Sequence, residues 1–291
     1  MNKSVEIINN IPYLECRNLN IEDFCSNEIK ALLVEYGSII LQNATDKLED
    51  FSALIHRASK QVVSDPARVS VGQTTLVDAG TNEVGLHLEN GTLSKLPEMC
   101  WFYCEQAPIK GSQTTLCDGE VVWSKLTSEC RKYFLHNKVK FSRVFAEAQW
   151  RNFVSLYYPN CGGPADVTTD DLFYWSHEQP GQEFTLNDDG SVLSTYTVGA
   201  VRFSQISQRI SFANSLFSPS YNYIPPTITL ADGEKINEDW LEEAHQCMEE
   251  NTHNIAWQDN DIAIIDNSRV MHGRRKIETS RRKIYNSLSY L

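Results

Sequence analysis

"EVGLHLENGTLSKLPEMCWFYC", residues 83–104, places an imidazole and a carboxylate two positions apart, His87 and Glu89, ahead of a proline and an unbroken apolar run. In an extended chain successive side chains alternate faces, so His87 and Glu89 project together while Leu88 projects the other way. Such a pair is either two ligands for a cation or an ordinary solvent-facing couple. The adjoining run, "MCWFYC", reads as a buried strand. Its cysteines, Cys100 and Cys104, have no second pair at zinc-finger spacing, so they read as strand residues and not as ligands.

Upstream, "NIEDFCSNEIKALLVEYG" has helical spacing behind an Asn20 cap, "SIILQNA" is a short apolar strand, and "DKLEDFSALIHRAS" is helical again. A helical N-terminal part over about residues 1–60 is therefore expected to pack on a β core. From about 61 to 230 short β-rich runs such as "GSQTTLCDG", "KVKFSRVF", "TYTVGAVRF" and "RISFANSLF" are punctuated by Gly, Pro, Asn and Asp. "TLNDDGSV" reads as a hairpin and "CGGPADVTTDD" as a loop, and the segment from about 159 to 195 reads as a candidate lid. A strong helix, "NEDWLEEAHQCMEENTHN", precedes a closing strand pair, "DIAIIDN" and "RRKIYNSLSYL". With no repeat, low-complexity linker or clear boundary, residues 1–291 read as a single domain, mainly β with flanking α.

The chain carries 26 basic and 38 acidic residues, a formal net charge of -12. That balance opposes a surface for nucleic acid. No run approaches the ~18 consecutive apolar residues of a membrane span, and "MNKSVEIINN" lacks the apolar centre of a signal peptide. A cytoplasmic address, with no membrane partner, is the expectation. Eight cysteines scattered through the chain then read as buried free thiols.

Of seven histidines, His56, His136, His177, His245 and His253 lie in helical or polar stretches and read as surface or packing residues. His272 differs. In "WQDNDIAIIDNSRVMHGRR" a strand delivers the chain to a turn at Asp266 and Asn267, and His272 comes after it beside a glycine. Further on, Arg281 and Arg282 would face opposite sides of a strand, so one points inward. A buried guanidinium needs an anion, and its fork fits a carboxylate, so an organic acid is implied. His87, Glu89 and His272 form the two-histidine, one-carboxylate set of non-haem Fe(II), which leaves coordination positions open. The same residue types also suit a zinc hydrolase or a non-catalytic metal-binding β-barrel, although a helical His-Glu-x-x-His is absent.

These pieces resemble the Fe(II)/2-oxoglutarate dioxygenases of the taurine dioxygenase and clavaminate synthase type, from "GSIILQNA" to the C-terminus. "LHLENGTLSKLPEMCWFYCEQAPIKGSQTTLCDGEVVWSKL" is similar to the family's His-X-Asp/Glu strand, its apolar strand and its Pro-x-x-Gly-Gly-x-Thr segment. "WQDNDIAIIDNSRVMHGRR" resembles its Asp-Asn-x-x-x-x-His segment, and "SRRKIYNSL" its arginine strand. The resemblance implies a double-stranded β-helix core (jelly-roll, cupin-like) and Fe(II) held by His87, Glu89 and His272. It also implies 2-oxoglutarate and O2 as cosubstrates, with Arg282 clamping the distal carboxylate of 2-oxoglutarate, Thr114 donating a hydroxyl to it, and Arg281 as the adjacent rival. Two positions depart from the pattern. Ser112 replaces a usual Gly, and Glu89 replaces the commoner Asp, as in the clavaminate-like branch; a carboxylate there argues against the halogenating members.

Overall likeness to the oxygenases of bacterial isonitrile pathways implies a small amino-acid-derived substrate bearing a carboxylate, namely tyrosine isonitrile, desaturated with loss of CO2 to a vinyl isonitrile. Hydroxylation of a free or carrier-bound amino acid is the other outcome the chemistry allows. Aromatic and cationic side chains meet in "EAQWRNF", "LFYWSHE" and "GAVRFSQ", which makes Trp150, Tyr174 and Arg202 the candidate substrate contacts.

Overall fold

A computed structural model describes residues 5–16, 26–63, 70–71, 74–77, 80–157, 162–218, 224–279 and 281–291. Its first element is a hairpin where a helical part was expected: β1 (Val5–Ile8) pairs antiparallel with β2 (Ile11–Glu15), Ile8 opposite Ile11. The two turn residues, Asn9 and Asn10, have φ of 51° and 62°. Asparagine tolerates that region, and two such residues give the turn whose twist matches a hairpin. The expected helices come next as α1 (Ser26–Tyr36) and α2 (Leu48–Ala58), flanking β3 (Ser38–Gln42), with β2 parallel to β3. The Asn20 cap lies outside the described residues.

Beyond them lie β4 (Gln61–Val63), β5 (Ser70–Val71), β6 (Thr74–Leu76), β7 (Val84–His87), β8 (Met99–Gln106) and β9 (Thr114–Asp118). After β9 the chain builds α3 (Gly119–Lys125), α4 (Ser128–His136), β10 (Lys138–Phe145), α5 (Glu147–Tyr157) and α6 (Thr169–His177). It continues through β11 (Gln182–Leu186), β12 (Val192–Gly199), β13 (Arg202–Phe203), β14 (Ile210–Ser211), β15 (Thr227–Leu230) and α7 (Glu238–Glu250). Four strands close it: β16 (Thr252–Asn254), β17 (Asp261–Asp266), β18 (Val270–Arg274) and β19 (Lys283–Tyr290).

The major sheet runs β1-β2-β3-β17-β8-β19-β6-β5, with β4 also on β19, and a minor sheet runs β16-β9-β18-β7. Alternation along β8 shows how they stack. Met99, Trp101 and Tyr103 point outward to α1 and α2, packing with Leu33, Phe51, Leu54 and Ile55. Cys100, Phe102 and Cys104 point inward and meet Leu116 of β9, Val270 of β18 and Ile284 of β19. The minor sheet repeats the pattern, since Leu86, Cys117 and Met271 face away toward α3, α4 and α7. The two sheets thus enclose a common interior, the double-stranded β-helix that the sequence resemblance implied.

A further sheet, β11-β12-β10-β15, belongs to the long insertion between β9 and β16. The segment expected as a candidate lid, about 159–195, belongs to this insertion. Residues 158–161 lie outside the described residues, and beyond them a short 3-10 turn (Pro164–Asp166), α6 with a Thr168–Asp171 capping box, and the β11–β12 hairpin replace an open loop. A buried cluster of Phe145, Trp150, Val154, Leu172, Trp175 and Phe184 cements them. Among the described residues no helix is long and apolar enough to cross a membrane. Cys16, Cys100, Cys104, Cys117, Cys130 and Cys247 are free thiols, as expected; Cys25 and Cys161 lie outside the described residues.

Phe51 is fully buried and stacks on Tyr103 with ring centroids 5.4 Å apart, on the outer face of the major sheet. Phe51→Ala is expected to cost about 3–5 kcal/mol of folding stability, read as a lower urea midpoint. Fe(II) affinity measured on the folded variant should be unchanged, because that face does not line the interior.

Candidate metal centre

β7 ends at His87, and a turn follows at once: the Gly91 N–H donates to the Leu88 carbonyl at 3.0 Å, with Glu89 and Asn90 (φ 57°) as its central residues. Leu88 is buried on the outer side with Leu86, and the turn brings Glu89 back to the side that His87 faces. β18 lies between β7 and β9, with His272 opposite His87 on one flank and Leu116 on the other. This register brings the two imidazoles to a centroid separation of 4.6 Å. His272 Nε2 lies 3.5 Å from Glu89 Oε1, and one ligand atom from each of His87, Glu89 and His272 falls within 4.8 Å of the others.

The tautomers are set by the hydrogen bonds. His87 Nδ1 sits 2.9 Å from the Gly85 carbonyl; a carbonyl only accepts, so Nδ1 carries the proton and Nε2 keeps a lone pair for a metal. His272 is 3% exposed, with Phe102 edge-on at 5.3 Å, and among the described residues neither ring nitrogen has a hydrogen-bond partner. A buried polar group without a partner is costly. A divalent cation on Nε2 removes that cost, and the donor set suits Fe(II).

Glu89 is held through its backbone. The Asn267 carboxamide accepts from Glu89 N–H at 2.9 Å, and its Nδ2 donates to the carbonyls of Glu89 at 3.1 Å and Pro97 at 2.9 Å. Asn267 is fully buried in the turn between β17 and β18, so one side chain ties that turn to the ligand segment. Its role was missed in the sequence, although a carboxamide inside the apolar run "AIIDNSRVM" must find partners. Neighbouring Asp266 accepts from Ser204 Oγ at 2.6 Å and from Ser268 N and Oγ, bonds that offset the burial that pushes its carboxyl pKa up.

At the far end of β18, Arg274 stands opposite Thr114. Trp257 Nε1–H donates to Thr114 Oγ1 at 3.0 Å. A hydroxyl that accepts there still has its own proton to give. Ser112, at the position where the family pattern has Gly, adopts φ 62°, the region that glycine enters without strain; this explains the family's residue and leaves Ser112 strained. Arg281 and Arg282 precede β19 instead of lying within it, yet they diverge as expected. Arg281 pairs with Asp259 at 3.0 Å, both about half exposed. Arg282 is partly buried and donates to the Val77 carbonyl at 2.6 Å. It lies near enough to Cys104 to oppose the burial and the Asp261 charge that push that thiol's pKa up to about 12.

The three candidate substrate residues separate. Trp150 is 1% exposed in the core of the inserted layer, its indole N–H on the Gly190 carbonyl. Tyr174 is 55% exposed on α6. Trp150 thus packs within the inserted layer, and Tyr174 faces outward from α6. Arg202, on β13, is partly buried, with its Nε enclosed and without a hydrogen-bond partner among the described residues.

His272→Ala or Glu89→Ala is expected to abolish stoichiometric Fe(II) binding with the unfolding midpoint held or raised, since each removes a buried polar group from the centre. Asn267→Ala leaves all three ligands in place but should weaken Fe(II) binding by about 10–100-fold, as for other groups that orient ligands. Anaerobic Fe(II) titration checks both; unchanged affinity in Asn267→Ala would remove its positioning role.

A clavaminate synthase-like protein of Arabidopsis thaliana is 21% identical over 216 residues, covering 69% of this chain and 63% of that protein, so the chain spans under two thirds of that relative. The dapdiamide synthesis protein DdaC of Enterobacter agglomerans is 19% identical over 296 residues, 90% of this chain and 85% of that one. Among solved structures, PvcB of Pseudomonas aeruginosa superposes with a TM-score of 0.63 at 14% identity, over 96% of this chain and 85% of PvcB. PvcB is described as an Fe, alpha-ketoglutarate dependent oxygenase from an isonitrile synthetic pathway. Residues 10–288 match the family model "Taurine catabolism dioxygenase TauD, TfdA family", and the chain therefore belongs to that dioxygenase family.

Proposed function

We propose that this protein is an Fe(II)/2-oxoglutarate-dependent oxygenase whose substrate is tyrosine isonitrile, and that its product is a vinyl isonitrile. The observation that carries the oxygenase chemistry is the convergence of half-buried His87 with buried Glu89 and His272, the His272 imidazole being orphaned among the described residues, in a chain whose family is established. The likeness to PvcB supports the isonitrile substrate, and the likeness to a dapdiamide synthesis protein supports a small amino-acid-derived substrate more broadly.

His87 Nε2, a Glu89 oxygen and His272 Nε2 would hold Fe(II). Arg282 and the Thr114 hydroxyl would receive the distal carboxylate of 2-oxoglutarate, with Trp257 fixing the direction of the Thr114 proton. Arg281, committed to Asp259 at the surface, is left out. The bound metal and cosubstrate supply a two-electron oxidation in which 2-oxoglutarate, O2 and tyrosine isonitrile give succinate, two CO2, water and the vinyl isonitrile. The protein binds, orients and excludes water: Phe102, Leu116 and Val270 wall the interior with apolar surface, and the Gly85 carbonyl keeps the His87 proton away from the metal side.

Anaerobic addition of Fe(II) and 2-oxoglutarate should give a weak visible charge-transfer band, which tyrosine isonitrile should shift. A band without a shift would reject that substrate and favour hydroxylation of another amino acid; no band would reject the oxygenase and favour zinc chemistry or metal binding alone. Arg282→Ala should weaken 2-oxoglutarate binding by roughly 2–5 kcal/mol, the cost of losing a buried charged hydrogen-bonding partner. Arg281→Ala should change it little, as befits an exposed pair. Equal losses in the two variants would reject the assignment of the clamp to Arg282.

A further inference from the structure

Partly buried Arg202 stands apart from the buried arginines. Arg269, 2% exposed, grips Asp118 at 2.7 Å and Glu120 at 3.2 Å, and Arg274 donates to the carbonyls of Gly80 and Asn82. Arg202 is partly buried, its Nε is enclosed without a hydrogen-bond partner, and among the described residues no carboxylate meets the guanidinium. Among those residues the Tyr196 phenol is the group near enough to register electrostatically, against a burial that disfavours the charged form of Arg202. A charge enclosed on one side without a counter-ion is costly, and its other side remains accessible, so the fold is holding a cation for something that arrives.

Its position tells what arrives. Arg202 pairs across the β13–β14 ribbon with Ser211, and its neighbour Phe203 is 65% exposed, so Arg202 and Ser204 share the side away from solvent. Ser204 bonds to Asp266 at 2.6 Å, next to the Asn267 that holds Glu89. On the other side of Arg202, the Ala200 carbonyl accepts from Asn214, whose neighbour Ser215 accepts from Leu88 N–H at 3.1 Å. Arg202 is therefore bracketed by two anchors, each one residue removed from contact with the segment that carries His87 and Glu89.

Arg282 lies at the opposite end. It neighbours Cys104, which pairs with Asp261 at the start of β17, whereas Ser204 is anchored on Asp266 at its end. Five residue steps of strand separate them, roughly 17 Å. We propose that Arg202, beside Tyr196, is the receptor for the carboxylate of the organic substrate, presenting that substrate to the metal from the end of the barrel opposite the 2-oxoglutarate clamp. This rests on the oxygenase reading for the word substrate, while the anion subsite itself does not.

The test begins with anomalous diffraction from crystals of the Fe(II)/2-oxoglutarate protein soaked anaerobically in sodium bromide, for wild type and Arg202→Met. The expected result is a bromide at the Arg202 guanidinium that is absent in the variant, together with a ligand-free unfolding midpoint for Arg202→Met at or above wild type. No bromide at Arg202, or a lower midpoint showing that the guanidinium serves the fold, would overturn the proposal. Calorimetry on the same anaerobic complex then compares N-formyl-L-tyrosine with N-formyltyramine, which lacks the carboxylate. A preference of at least tenfold for the acid that vanishes in Arg202→Met supports the assignment, and a preference that survives in Arg202→Met overturns it. Bromide bound at Arg202 with neither compound bound supports the anion subsite and rejects the tyrosine-derived substrate.

Discussion

The site depends on one register, His272 of β18 against His87 of β7. Side chains alternate with period two, so a slip of one residue would send His272 to the outer core and bring Met271 or Gly273 inward. Several features forbid the slip. β18 is hydrogen-bonded on both flanks, and at Gly273 a Cβ would come within 2.5 Å of the Val84 carbonyl and 2.8 Å of Thr115 Oγ1. Only glycine lets the three strands close beside the histidine. The pairing with β7 is irregular between His272 and Arg274, which confines the regular match to the metal level.

The turn that sets this register is itself held by charge. Arg269 comes directly after Asp266, Asn267 and Ser268, and its fork takes both carboxylate oxygens of Asp118 at the end of β9 while also donating to the carbonyls of Val34 and Glu35 at the end of α1. Planar bidentate pairing gives direction as well as energy. Because those partners come from β9 and α1, the fork locks the minor sheet to the helical layer behind the major one. The β17–β18 turn is thereby fixed from both sheets, and the Asn267 carboxamide inherits that rigidity and passes it to the Glu89 peptide.

Much of this was legible where the sequence has a period. The shared side of His87 and Glu89, the apolar β8, the Asp-Asp-Gly hairpin between β11 and β12, and the Asn237-capped α7 all carry local signals that tertiary packing did not override. The β1–β2 hairpin was equally local, signalled by Asn9-Asn10, but its short strands resemble the flank of a helix in composition. Residues 162–177 misled for another reason: Gly, Pro, Thr and Asp make both loops and caps, and Thr168 with Asp171 opens α6 where a loop was expected. Trp150 and Tyr174 show the limit of composition, since aromatics beside cations mark a core or a surface as readily as a pocket. Asn267 was visible only as a turn former, because its three partners lie about 170 or more residues away along the chain.

The insertion between β9 and β16 joins the catalytic barrel through serine hydroxyls and backbone groups. Ser215 holds the Leu88 peptide, Ser204 Oγ donates to Asp266, and the Gln205 amide donates to Ser268 Oγ. Contacts of this kind fix the layer's distance from the metal without specifying most of the side chains it presents. The barrel can therefore keep its ligands and its 2-oxoglutarate end constant while the inserted layer varies in chemistry, and a single charge placed there changes what is admitted without disturbing the metal. Arg202 is such a charge: its neighbours at positions 200 and 204 carry the layer's hydrogen bonds, and its own guanidinium carries none among the described residues.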